Sequence, residues 1–120
     1  MARILVADDS ITDLKFVHSV LDGTGHEILT AMDGEDAEKK ARTEKIDLII
    51  LDVIMPKKNG FQVCRSLKQD AATKAIPIIL LTSKGQESDK FWGEKQGADV
   101  YIVKPCPPRE LLETVKKFLK

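Results

Sequence analysis

The sequence predicts an α/β domain built on a doubly wound, five-stranded parallel sheet with helices on both faces. Three observations carry this. Short apolar runs alternate with amphipathic stretches along the whole chain, the pattern of repeated strand–helix units. Three of the runs are almost uniformly apolar, as strands covered on both faces must be. The chain has 120 residues, 42% hydrophobic and 32% charged, which suits one ordinary soluble domain spanning 1–120.

The elements follow in order. Ile4 to Ala7 is the first strand. "SITDLKFVHSVL" (10–21) carries Leu14, Val17 and Leu21 at helical spacing, and Ser10 to Asp13 fit a capping pattern. "HEILT" (26–30) is the second strand. "DGEDAEKKARTE" (33–44) is an alanine-bearing helix with Asp33 as its cap. "DLIIL" (47–51) is the third strand, and after Asp52 come Pro56 and an Asn59-Gly60 turn. "GFQVCRSLKQD" (60–70) is the third helix and "PIILL" (77–81) the fourth strand. "QESDKFWGEKQG" (86–97) is a fourth helix closed by Gly97. "DVYIV" (99–103) is the fifth strand. "PRELLETVKKFLK" (108–120) is the last helix, with Leu111, Leu112, Val115, Phe118 and Leu119 on one stripe.

Strands one, three and four are the most apolar and belong at the centre. Strands two and five carry polar residues and read as edges. That gives the order 2-1-3-4-5, a flavodoxin-like arrangement, whose site lies beyond the carboxyl ends of the strands. Strand one ends in Asp8 and Asp9, strand three in Asp52, strand four in Thr82 and strand five in Lys104. Four of the five strands thus deliver a polar or charged side chain to one edge.

Three neighbouring carboxylates repel and favour protonation unless compensated. Lys104 supplies one positive charge. A hard divalent cation would supply the rest, because carboxylate and carbonyl oxygens suit Mg²⁺. A carboxylate held beside Mg²⁺ and a lysine is equipped to take a phosphoryl group as an aspartyl-phosphate, with the Thr82 hydroxyl hydrogen-bonding a phosphoryl oxygen.

On "ILVADDS", "LIILDVIMPKKNG", "IILLTS" and "YIVKP", the chain resembles the response-regulator receiver domains of two-component signalling over essentially its whole length. The resemblance implies that Asp52 accepts phosphoryl from the phosphohistidine of a partner histidine kinase. It implies direct Mg²⁺ ligation by Asp9, Asp52 and the carbonyl of Ile54, with Asp8 acting mainly through water. Thr82 and Lys104 would bind phosphoryl oxygens. Tyr101 matches the aromatic that swings inward when Thr82 moves, and the Lys104-Pro105 bond is cis in the family. The downstream target would bind the face of helix four, strand five and helix five. The chain ends just after its fifth helix, which is similar to the stand-alone receivers of chemotaxis and twitching motility. Fast-resetting relatives often carry an amide or acid where this chain has Ile54 and Lys84.

Composition excludes other classes. Lys plus Arg and Asp plus Glu are both 19, so there is no electrostatic footprint for nucleic acid or an anionic membrane. No apolar stretch approaches the ~18 residues of a membrane span, and the amino terminus turns acidic too soon for a signal peptide. Cys64 and Cys106 are far apart and read as reduced thiols. A cytoplasmic location is expected. A haloacid-dehalogenase-like phosphatase needs Asp-x-Asp after strand one, where this chain has adjacent aspartates. A flavin-binding domain needs a Ser/Thr-Gly-rich phosphate loop that is absent here. The expected protein is therefore a phospho-switch acting through partners rather than an enzyme turning over substrate.

Overall fold

The computed structural model describes residues 1–119. Five parallel strands, β1 (Arg3–Ala7), β2 (Glu27–Ala31), β3 (Leu48–Leu51), β4 (Ile78–Thr82) and β5 (Val100–Val103), lie in the order β2-β1-β3-β4-β5. The helices between and after them are α1 (Ile11–Leu21), α2 (Gly34–Thr43), α3 (Gly60–Gln69), α4 (Glu87–Lys95) and α5 (Pro108–Phe118).

Side chains alternate across the sheet, so each strand feeds two cores. Leu5, Ala7, Ile49, Leu51, Ile78 and Leu80 pack beneath α2 and α3. Ile4, Val6, Leu48, Ile50, Ile79 and Leu81 pack beneath α1 and α5 through Leu14, Val17, Leu111 and Val115. Every residue of β3 and β4 is buried, whereas β2 and β5 are only partly so. This is the centre-and-edge division that the hydrophobic runs predict.

Local signals place the ends. Ser10 and Asp33 cap α1 and α2 through their side chains, accepting from Asp13 and Asp36 N–H. Gly97 sits at φ +100° just past α4. One detail differs from the sequence reading. Asn59-Gly60 is not a turn: Asn59 is the N-cap of α3, forming a reciprocal capping box with Gln62. Gly60 is required there for closeness rather than for its dihedral freedom. A Cβ on it would stand 2.1 Å from the carbonyl oxygen of Asp52. The bare backbone lets α3 start hard against the end of β3.

Candidate functional site: an acidic cleft around Lys104

The carboxyl ends of β1, β3, β4 and β5 converge on one cleft. Asp8 follows β1 and is held there by its N–H donating to the Ala31 carbonyl. Asp52 follows β3, its N–H donating to the Ala7 carbonyl. Lys104 follows β5, its N–H donating to the Thr82 carbonyl at the end of β4. These are continuations of the sheet ladder, so the site inherits the rigidity of the core.

Lys104 Nζ is the hub. It donates to Asp8 Oδ2 at 2.7 Å, to Asp13 Oδ2 at 2.7 Å and to Asp52 Oδ2 at 3.1 Å. The carboxylates of Asp8, Asp13 and Asp52 offer ligand atoms within 4.8 Å of one another. Asp8 Oδ1 also accepts from Ser10 N–H, and Asp52 Oδ1 accepts from Val53 and Ile54 N–H at 2.6 and 3.3 Å. Asp8 and Asp52 are 4% and 7% exposed, so their charges sit largely out of water.

Burial pushes the Asp8 carboxyl above its usual range; the hydrogen bonds from Lys104 and Ser10 oppose this without cancelling it. For Lys104, burial works against the charged form, but the hydrogen bonds to Asp13, Asp8 and Asp52 outweigh it and raise its pKa. The lysine stays protonated, and one cation is shared among three acids. That imbalance, with a donor set made only of oxygens, fits a hard divalent cation.

Thr82 is wholly buried. Its Oγ1 accepts from Lys84 N–H at 3.4 Å. Tyr101, on β5, donates its phenol to the Lys84 carbonyl at 2.7 Å. Burial and the nearby charges of Asp89 and Asp52 push that phenol up to about 12, so it remains a donor. Lys84 Nζ lies 3.5 Å from Asp89 at the start of α4. The Lys104-Pro105 bond is cis.

The structure thus gathers Asp8, Asp52 and Lys104 through direct hydrogen bonds, with Thr82 at the adjacent strand end. Asp9 is exposed and lies outside the carboxylates clustered on Lys104. Ile54 is 53% exposed at the rim. Asp13 is the residue that sequence reasoning missed. It was legible only as part of the α1 cap, yet an acid in the first turn of the helix leaving β1 is carried over the same strand ends.

Residues 4–116 match the family model described as the response regulator receiver domain. Protein PilH of Pseudomonas aeruginosa is 46% identical over 119 residues, which cover 99% of this chain and 98% of that protein. The alkaline phosphatase synthesis transcriptional regulatory protein PhoP of Bacillus subtilis is 45% identical over 98% of this chain. The chain spans only 48% of PhoP. Among solved structures, the chemotaxis response regulator CheY4 of Vibrio cholerae superposes with a TM-score of 0.90 at 36% identity, with 98% of each chain covered. The chain belongs to the response regulator receiver family of two-component signalling. Among the described residues, no helix is long and apolar enough to cross a membrane.

Proposed function

We propose that this receiver is a phospho-switch: Asp52 accepts a phosphoryl group from a histidine kinase, and the change is passed to a partner protein. The observation that carries this is the clustering of Asp8, Asp13 and Asp52 on Lys104 Nζ beside Thr82. In the transfer, an Asp52 carboxylate oxygen bonds to phosphorus as the phosphorus–nitrogen bond of the kinase's phosphohistidine breaks. The product is an acyl phosphate, and the electron pair of the broken bond returns to the imidazole.

This chain's residues position and neutralise. The Val53 and Ile54 N–H groups hold Asp52 Oδ1 and orient the carboxylate. Lys104 supplies fixed positive charge where the phosphoryl oxygens arrive. The Thr82 hydroxyl, at the neighbouring strand end, hydrogen-bonds one of those oxygens. Asp9, Asp52 and the Ile54 carbonyl would hold Mg²⁺ directly and Asp8 through water; Asp13 is a further acid within the same cluster. When bound, the cation supplies charge neutralisation for the transferring group.

Movement of Thr82 and Tyr101 would alter the face of α4, β5 and α5, where the downstream target binds. Phe91 and Trp92 on α4 are 59% and 51% exposed and give that face apolar anchors. The similarity to PilH favours a role in motility control, and the net charge gives no ground for nucleic-acid or membrane binding. A cytoplasmic site of action follows from a kinase partner of this class. Phosphotransfer from the histidine kinases of the source organism tests the proposal. One kinase should label the chain much faster than the others; labelling by none would refute it.

A further inference from the structure

Gly93 is the sole residue of α4 that is buried. Glycine is among the poorest residues for a helix interior, and alanine would be preferred there on propensity alone. Packing gives the reason for its presence. A Cβ built on Gly93 would lie 2.7 Å from Tyr101 Cδ2, 2.9 Å from Tyr101 Cε2 and 3.1 Å from Leu80 Cδ1. The first two distances are shorter than side-chain carbons tolerate. The Tyr101 ring therefore rests directly on the bare backbone of α4.

The other end of the same side chain is also fixed. Its hydroxyl donates to the Lys84 carbonyl at 2.7 Å, in the loop between β4 and α4. The N–H of Lys84 faces Thr82 Oγ1 at 3.4 Å. Ring and phenol together join β5 to α4 and to the loop that leaves Thr82.

We propose that Gly93 is the seat of Tyr101: the absent side chain lets the ring rest inward against α4, and position 93 sets how firmly it stays. The ring is free to swing about its own side-chain bonds, whereas Leu80 is locked inside β4. A methyl at 93 is relieved most easily by turning the tyrosine out, and that movement breaks the bond to Lys84. The seat stands on packing alone; its consequence for signalling rests on Tyr101 being the switch residue proposed above.

A double-substitution cycle in urea unfolding separates the two. Gly93→Ala should destabilise the chain when Tyr101 is present. In a Tyr101→Ala background the same change should cost far less, because helix propensity is then opposed only by the 3.1 Å approach to Leu80 Cδ1. The coupling between the substitutions is expected to shift the folding equilibrium by about tenfold, within the range for residues in contact. Tyr101 is the one tyrosine of the chain, so its ring resonances in NMR are unambiguous, and Gly93→Ala should move them. Additive effects in the cycle with unmoved ring resonances would overturn the seat. A parent whose tyrosine resonances ignore acetyl phosphate and Mg²⁺, while the cycle remains coupled, would leave the seat intact and remove the switch reading.

Discussion

Both carboxylate oxygens of Asp52 are hydrogen-bonded. One oxygen accepts from two backbone N–H groups and the other from Lys104. This orients the carboxylate, and it also means the lysine must be shared with whatever enters. The lifetime of a phosphoryl group there depends on a water approaching in line with the oxygen–phosphorus bond. Ile54, two residues on, is exposed and can neither donate nor accept through its side chain, so it cannot orient such a water. Lys84 is occupied with Asp89 and, being a cationic donor, offers no base. Slow unaided hydrolysis is the expected result. Ile54→Asn should shorten the lifetime of the phosphorylated form in Mg²⁺, and adding Lys84→Glu should shorten it further. Unchanged decay in both variants would remove the hydration argument. At this scale the sequence reveals residue types and strand ends well. It did not reveal Asp13, because its place over the cleft depends on how α1 docks, which a cap pattern does not encode.

Among the helices, α4 and the α2–α3 pair behave oppositely. Inside α4 only Gly93 is buried, and its two aromatics face outward. Helices that bury so little open at low free energy. Hydrogen exchange across residues 84–104 should therefore differ between free and phosphorylated protein; changes confined to another face would refute an output role for α4. In contrast, α2 and α3 are riveted by Glu38, buried and bonded to Arg42 at 2.9 Å, Lys58 at 3.0 Å and Ser66 at 3.1 Å. Burial alone would raise its carboxyl, but the hydrogen bonds from Arg42, Lys58 and Ser66 win and hold it below its ordinary 4.5. A lowered folded pKa means stability that is present above the unfolded value and lost as pH falls through the folded one. Parent protein should lose stability as pH drops below about 4.5, partly through Glu38. Glu38→Gln should be less stable by about 2 kcal/mol at neutral pH, as expected for lost hydrogen bonds to charge. Its acid dependence should be flatter. Denaturant midpoints from pH 3 to 7 check both points, and parallel curves would contradict the assignment. The burial of Glu38 is not legible in sequence, because two of its three partners, Ser66 and Lys58, come from α3 and the loop after β3, and only Arg42 lies in its own helix.

At the scale of the whole molecule, the alternation of apolar runs was sufficient for the strand order, because buried central strands and half-exposed edges differ in composition. The cleft followed from that order, since a doubly wound parallel sheet places its ligands beyond the carboxyl ends of its strands. The three-acids-and-a-lysine balance also followed, but the place of Asp13 on that lysine did not. It, and a tyrosine seated on a glycine, are properties of side-chain packing between elements distant in sequence. On the proposed function, this cleft makes Asp52 a phosphoryl acceptor. Incubation with acetyl phosphate and Mg²⁺, followed by intact-mass measurement, tests it most directly. One added phosphoryl group is expected on the parent chain and none on Asp52→Asn; equal labelling of the two would remove Asp52 as the acceptor.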